Sequence, residues 1–208
     1  YHSHGYFLDW PSSEAKNGES GNRYFYLYVL KNCAKLLRIF SQDTALCESM
    51  VRRLRLKNTE DDCEGYKQFM AFKSLSGEAD KDRAAQLLTE GGVKGFSTFM
   101  SYYIASAIFD GGYKEEALRL LSEYYSGMLK AGATSFWEDF DYEWLAGSCP
   151  IDRLPLPGER DIHGDFGKYC YKGLRHSLCH GWSCGPIQFL MFKILGIRIL
   201  EPGCSKIE

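Results

Sequence analysis

The sequence predicts an all-α chain of successive helical hairpins. Apolar residues recur at three- and four-residue spacing over most of residues 22–130. The helical stretches alternate between mostly apolar and clearly amphipathic ones. The breaks between them are short and rich in Gly, Ser and Asp, as in Ser41-Gln42-Asp43, Glu90-Gly91-Gly92 and Gly111-Gly112. Buried helices alternating with half-exposed ones fit an inner ring wrapped by an outer ring. They fit an ordinary helical bundle as well, and periodicity does not separate the two.

Taken in order, residues 1–21 read as irregular, with Phe7-Leu8-Asp9-Trp10-Pro11 a short extended piece. A helix is expected over 22–41, and a second runs to Leu56, where Arg52, Arg53 and Arg55 suit a helix C-terminus. Residues 57–64 read as a polar turn. Short helices follow over Tyr66–Leu75 and Ala79–Thr89. Phe96–Phe109 carries no charged residue, and a helix apolar all round is buried all round. Tyr113–Lys130 is amphipathic, with Ala117, Leu120, Leu121, Tyr124 and Met128 facing in. Residues 146–173 hold Pro150, Pro155 and Pro157 without a clear period, a long loop of the kind that often carries function. Pro186 suits a first helical turn with Ser183 as its cap, opening an inner-type helix over Ile187–Leu195. Ile197–Leu200 reads as a strand.

Length and composition set bounds. At 208 residues one domain is favoured over two. The net charge of −2 and the lack of a basic run exclude nucleic acid as an expected partner. An aromatic share of 15% points either to a Tyr-rich core or to a site for flat ligands. Cys33 falls with Leu30, Ala34 and Leu37, and Cys47 with Met50 and Leu54. Both are expected as buried thiols in a reducing, cytoplasmic compartment. No apolar run reaches the roughly 18 residues of a membrane-spanning helix, so no membrane partner is expected, and the opening Tyr1-His2-Ser3-His4 is not a signal peptide.

Chemistry is concentrated in two stretches. Gly132 to Asp141 runs from a glycine through small and aromatic residues into acids. Glu138 follows Trp137 and precedes Asp139, Asp141 and Glu143. A carboxylate beside an aromatic wall and like charges has its pKa moved, which suits general acid or base work; a solvated acidic turn is the plainer reading. In the second stretch, His180 precedes an apolar segment and can serve a ligand hydroxyl or simply sit in the core. Trp10, with Asp9, can stack on a sugar or anchor the N-terminal segment. His176, His180, Cys170, Cys179 and Cys184 are zinc-type ligands. They form no CxxC or HExxH pattern, and the flanking glycines place them on a loop, so no metal and no cofactor is expected.

The same residues carry a family resemblance. Gly132-Ala133-Thr134-Ser135-Phe136-Trp137-Glu138 resembles the GAT-x-x-WE motif of the bacterial α-L-rhamnosidases, glycoside hydrolase family 78. Ser177-Leu178-Cys179-His180-Gly181-Trp182-Ser183 resembles that family's S-x-x-H-x-W segment, and Phe7-Leu8-Asp9-Trp10 its DW loop. Gly91-Gly92-Val93 and Lys114-Glu115-Glu116-Ala117 also resemble their counterparts, in the same order over essentially the whole chain.

The resemblance implies an (α/α)6 toroid, a six-hairpin glycosidase barrel. Residues 1–196 would be its later part, with about eight helices, and residues 197–208 the start of a β segment. It implies inverting hydrolysis of terminal α-L-rhamnosyl residues, with a rhamnosylated glycoside or oligosaccharide as partner. Glu138 takes the place of the general base. His180, Trp10 and Asp9 take the places of sugar contacts, and Trp137 and Trp182 would line the cleft. The family's general acid lies upstream of the DW loop, so this stretch alone should hydrolyse poorly. Its open ring should leave apolar inner helices uncovered and favour self-association. The loop at 146–173 is longer than the family's usual one. Another six-hairpin glycosidase, or a non-catalytic helical carbohydrate-binding or interaction module, are the alternatives.

Overall fold

The computed structural model describes residues 8–12, 15, 18–56, 63, 65–162, 164–166 and 176–208. Phe7, Cys170 and most of the turn expected over 57–64 lie outside them. Seven α-helices are present among the described residues, where about eight were expected: α1 (Gly18–Ile39), α2 (Ala45–Leu56), α3 (Lys67–Leu75), α4 (Lys81–Thr89), α5 (Ser101–Asp110), α6 (Lys114–Lys130) and α7 (Gly185–Phe189). The chain is mostly helical, with a single two-stranded parallel ladder, β1 (Ser148–Cys149) beside β2 (Arg160–Asp161). No described helix is long and apolar enough to cross a membrane.

Local chemistry places the breaks. The Asp43 carboxylate accepts the Ala45 N–H at 2.9 Å, and Asp80 accepts the Arg83 N–H at 2.8 Å, so each caps the helix it precedes. After α4, Gly91 takes a φ of +70°, a left-handed turn that glycine enters at little cost.

The helices stack in two layers. α1, α3, α5 and α7 pack side by side in succession, while α2 lies against α1, α6 against α5, and α4 against both α3 and α5, more extensively against α5. One core joins them: Tyr24 and Leu27 on α1, Phe69 and Phe72 on α3, Ile104 and Ile108 on α5 and Phe189 on α7 are buried together with Leu88 on α4 and Leu120 and Tyr124 on α6. A line of rings crosses them. Phe25 lies 4.9 Å from Phe72, Phe72 4.9 Å from Tyr103, Tyr103 5.5 Å from Phe99, and Phe99 5.9 Å from Trp182. Each such pair adds roughly 0.5–1.5 kcal/mol beyond the area it buries.

Four sequence expectations need correction. The uncharged helix begins at Ser101 rather than Phe96, because the Ser97 hydroxyl accepts the Met100 N–H at 3.2 Å and ends the preceding turn. Tyr102 and Tyr103 on it are half-buried, so it is not closed on every side. The stretch Ile187–Leu195 is not an inner helix throughout: α7 widens at Leu190–Ile194 into a π-turn. Ile187, Leu190, Met191, Ile194 and Leu195 are exposed there, since no described element covers that face. Cys33 is exposed on the outer side of α1, one residue away from the buried Ala34. Finally, Ser183 does not cap α7; its hydroxyl donates to the Trp137 carbonyl instead.

Ring contacts tie together the described part of the loop after Asp141. The Arg160 guanidinium lies 3.7 Å from the Phe166 ring centroid, and Phe166 stacks on Trp144 at 5.6 Å. Near the C-terminus, Arg198 and Glu208 exchange two backbone hydrogen bonds, so the strand read at Ile197–Leu200 folds into a small antiparallel hairpin through the Ile199–Ile207 bridge.

Helix spacing is most constrained between α1 and α3. A Cβ placed on Gly21 would fall 2.1 Å from Phe69 Cδ1. Gly21→Ala is expected to destabilise the chain by about 1–3 kcal/mol through overpacking, read as a lower midpoint in denaturant unfolding at unchanged slope.

Candidate active site

The acidic stretch after α6 is held by the loop that precedes α7. Glu138 N–H donates to the Ser177 carbonyl at 2.8 Å, and Ser177 N–H returns a bond to Glu138 Oε2 at 2.9 Å. His180 N–H donates to the Phe136 carbonyl at 2.8 Å, and the Ser135 hydroxyl donates to the Leu178 carbonyl. The two segments thus satisfy each other's backbone groups, which burial requires.

Side chains from the inner helices and the loops at their start finish the frame. The Glu138 carbonyl accepts Thr98 Oγ1 at 2.6 Å and Trp182 Nε1 at 2.7 Å. Tyr125 OH, from α6, donates to the Ser183 carbonyl at 2.9 Å, and Tyr124 OH donates to the Phe140 carbonyl. Asp9, Thr98, Glu138 and Trp182 therefore lie on segments that precede α1, α5 or α7.

The carboxylates are enclosed, so the stretch is not a solvated acidic turn. Asp9 is 3% exposed, Glu138 6% and Asp139 4%. The Ser97 hydroxyl donates to Asp9 Oδ2. Burial raises the Asp9 pKa to about 6 against the pull of hydrogen bonds from Ser97, Trp10 and Gln68. Burial raises the Asp139 pKa to about 7, and the charges of Asp9, Asp141 and Glu138 add to it. His176 is buried with its ring 5.9 Å from Trp144, and burial lowers its pKa against the opposing charge of Glu138.

Of the six residues singled out from the sequence, three meet. His180 Nδ1 lies 4.0 Å from Glu138 Oε2, too far for a hydrogen bond between them. The His180 ring packs 4.6 Å from Trp182, and both rings are partly open to solvent. A cavity of about 210 Å3 adjoins Trp182, between Phe99, Tyr102, Tyr103 and Gln188, smaller than sites for drug-sized ligands. Trp137 does not line a cleft. Its ring is 1% exposed and packs edge-on to Phe140, because the backbone pairing on both sides turns it into the core. Asp9 is closed off beneath Ser97, and Trp10 is half-buried beside it. A larger concavity, about 690 Å3, lies elsewhere, between α1, α2 and α5.

Sequence reading missed Thr98, Ser97 and Tyr125. The first two sat inside a run taken as helix, and the third looked like one more core aromatic. Among the described residues, no three His, Cys, Asp or Glu side chains gather as a metal-ligand set. In comparisons with known proteins, no family model, no curated protein and no solved structure matches the chain.

The buried acids make stability fall as pH rises. Asp139 is about 7 in the fold against a model-peptide value of 3.8. The folded chain therefore holds a proton that the unfolded chain releases. This contribution is complete below pH 4 and is lost as pH rises through about 7. Asp139→Asn is expected to gain stability relative to the parent between pH 5 and 8 and to show no gain at pH 4. Denaturant melts at each pH check it, and a pH-independent difference would remove the buried-acid account.

Proposed function

We propose that this chain carries the base half of an inverting glycosidase of the α-L-rhamnosidase kind, built on an arc of an (α/α)6 toroid. The observation that carries the reading is the setting of Glu138. Ser177 N–H fixes Oε2, while Oε1 accepts no hydrogen bond among the described residues, and His180 and Trp182 sit beside it. A held carboxylate with one free oxygen next to a histidine and an indole suits activation of water against a bound sugar.

The layering supports the same reading. Inner helices succeed one another, each hairpin returns on the outside, and the candidate residues sit on the loops that open the inner helices. Inversion needs a second carboxyl group about 6.5–9.5 Å from the base, with water between them. In this reading the acid comes from a segment outside these 208 residues, and the partner is a rhamnosylated glycoside or oligosaccharide.

One observation favours a second reading, a carbohydrate-binding module without chemistry. The Glu138 carboxylate already serves as a staple for the Ser177 N–H, which is work enough to explain its burial.

L-Rhamnose titrated into the chain should change tryptophan emission, and His180→Ala should weaken its binding roughly five- to thirtyfold, since a lost hydrogen bond to a sugar costs on the order of 1–2 kcal/mol. With the acid-bearing segment supplied, Glu138→Gln should lower turnover of an aryl α-L-rhamnoside by about 100-fold or more with the emission response retained. Unchanged turnover in the variant would remove Glu138 as the base, whereas an emission response with no turnover by the parent would leave the binding-module reading in its place.

A further inference from the structure

A second concavity has a different character from the Glu138 site. This groove of about 690 Å3 runs between the later half of α1, all of α2, the end of α3 and one face of α5. Seven lysines and arginines line it against two carboxylates, in a chain whose net charge is −2. No sequence run announces this, because the cations arrive from α1, α2, α4 and the π-turn.

Four of the seven are committed to acids. Lys31 and Arg55 both reach Glu78, at 2.8 and 2.7 Å; Arg38 reaches Glu48 at 2.9 Å, and Lys193 reaches Asp110 at 2.5 Å. Lys35, Arg52 and Lys81 make no ion pair among the described residues. Helix ends account for part of the charge, since Lys31 Nζ donates to the Ser76 carbonyl where α3 stops. They do not account for the remaining three. Lys81 opens α4, where the helix dipole disfavours a cation, and Arg52 lies inside α2. Like charges collected around a concavity repel one another until an anion enters, and they raise its local concentration.

The other wall is aromatic. Tyr28, Tyr102 and Tyr103 line the groove, and Tyr102 and Tyr103 also wall the small cavity at Trp182. The two spaces thus share a face of α5. Flat rings on one side and cations on the other match a sugar chain bearing carboxylates or sulfates.

We propose that the groove binds the anionic part of a glycan whose uncharged end reaches Trp182 and His180. This rests on the carbohydrate reading of the Glu138 site. The test is a binding titration at low salt with tetragalacturonate, a sulfated galactan tetramer, a neutral galactose tetramer and a single-stranded DNA dodecamer. It compares the full chain with its Lys35→Gln/Arg52→Gln/Lys81→Gln variant, whose changes lie at exposed positions and whose fold is checked by circular dichroism. At least one acidic sugar should bind, roughly tenfold more weakly to the variant and in about 200 mM salt, as exposed charge contacts are screened, and the responding arm identifies the anion. Equal binding of the neutral tetramer, no loss in the variant, or tighter variant-sensitive binding of the DNA overturns the proposal. An L-rhamnose response with neither acidic sugar bound sinks the groove alone; acidic sugars bound without an L-rhamnose response sink the reading of the Glu138 site alone.

Discussion

The pairing of the segment around Phe136–Glu138 with Ser177–Ser183 is the contact on which the rest of the candidate site depends. Two backbone hydrogen bonds fix its direction, and the Ser135 and Ser183 hydroxyls and the Glu138 carboxylate add three more. With Glu138 N–H and the Phe136 carbonyl both used, successive side chains must alternate. Trp137 goes into the core and its neighbours turn the other way. The core then holds the strip in place through Tyr124, Phe140 and Trp144, whose rings contact one another in sequence. Burial of Trp137 and presentation of Glu138 are two sides of one constraint.

That arrangement carries an electrostatic cost. Three carboxyl groups, on Asp9, Glu138 and Asp139, are nearly excluded from water at one end of the inner helices. Some acids elsewhere are paired at the surface: Arg119 lies between Glu116 and Glu123, and Arg153 against Glu159. Exposed pairs of this kind contribute little to stability. Burial raises the pKa of Asp9 and of Asp139, so these two oppose folding at neutral pH and are held by the surrounding core. Concentrated unfavourable terms of this sort are found where a protein positions groups for chemistry or binding.

Much of the scaffold was legible because helices are local. Apolar spacing located α1 through α6 to within about five residues, and Ser41-Gln42-Asp43 and the glycines marked their ends. Non-local relations were not legible. Nothing near Glu138 announces Ser177, thirty-nine residues on, and nothing near Ser183 says that its hydroxyl will serve Trp137 rather than a helix end. Burial was misjudged for the same reason at Cys33 and over Ile187–Leu195. An apolar face shows what a segment could bury, while the neighbour that would bury it is chosen elsewhere in the chain. The gathering of cations beside α1 and α2 is a further case, since charges scattered along a sequence acquire a field only once packing brings them together.

The π-turn at Leu190–Ile194 sets the register of everything after it. Leu195 N–H reaches back five residues to the Leu190 carbonyl at 2.9 Å, so this turn contains one residue more than an α-helical turn would. Deleting one residue there would restore the usual pitch, and each residue corresponds to about 100° of rotation. Lys193 would swing away from Asp110 on α5, and the terminal hairpin would leave the helix in a different direction. The segment is in effect a single-residue insertion absorbed without breaking the helix, and its ion pair to α5 works as the index mark that fixes how the chain's last fourteen residues are aimed.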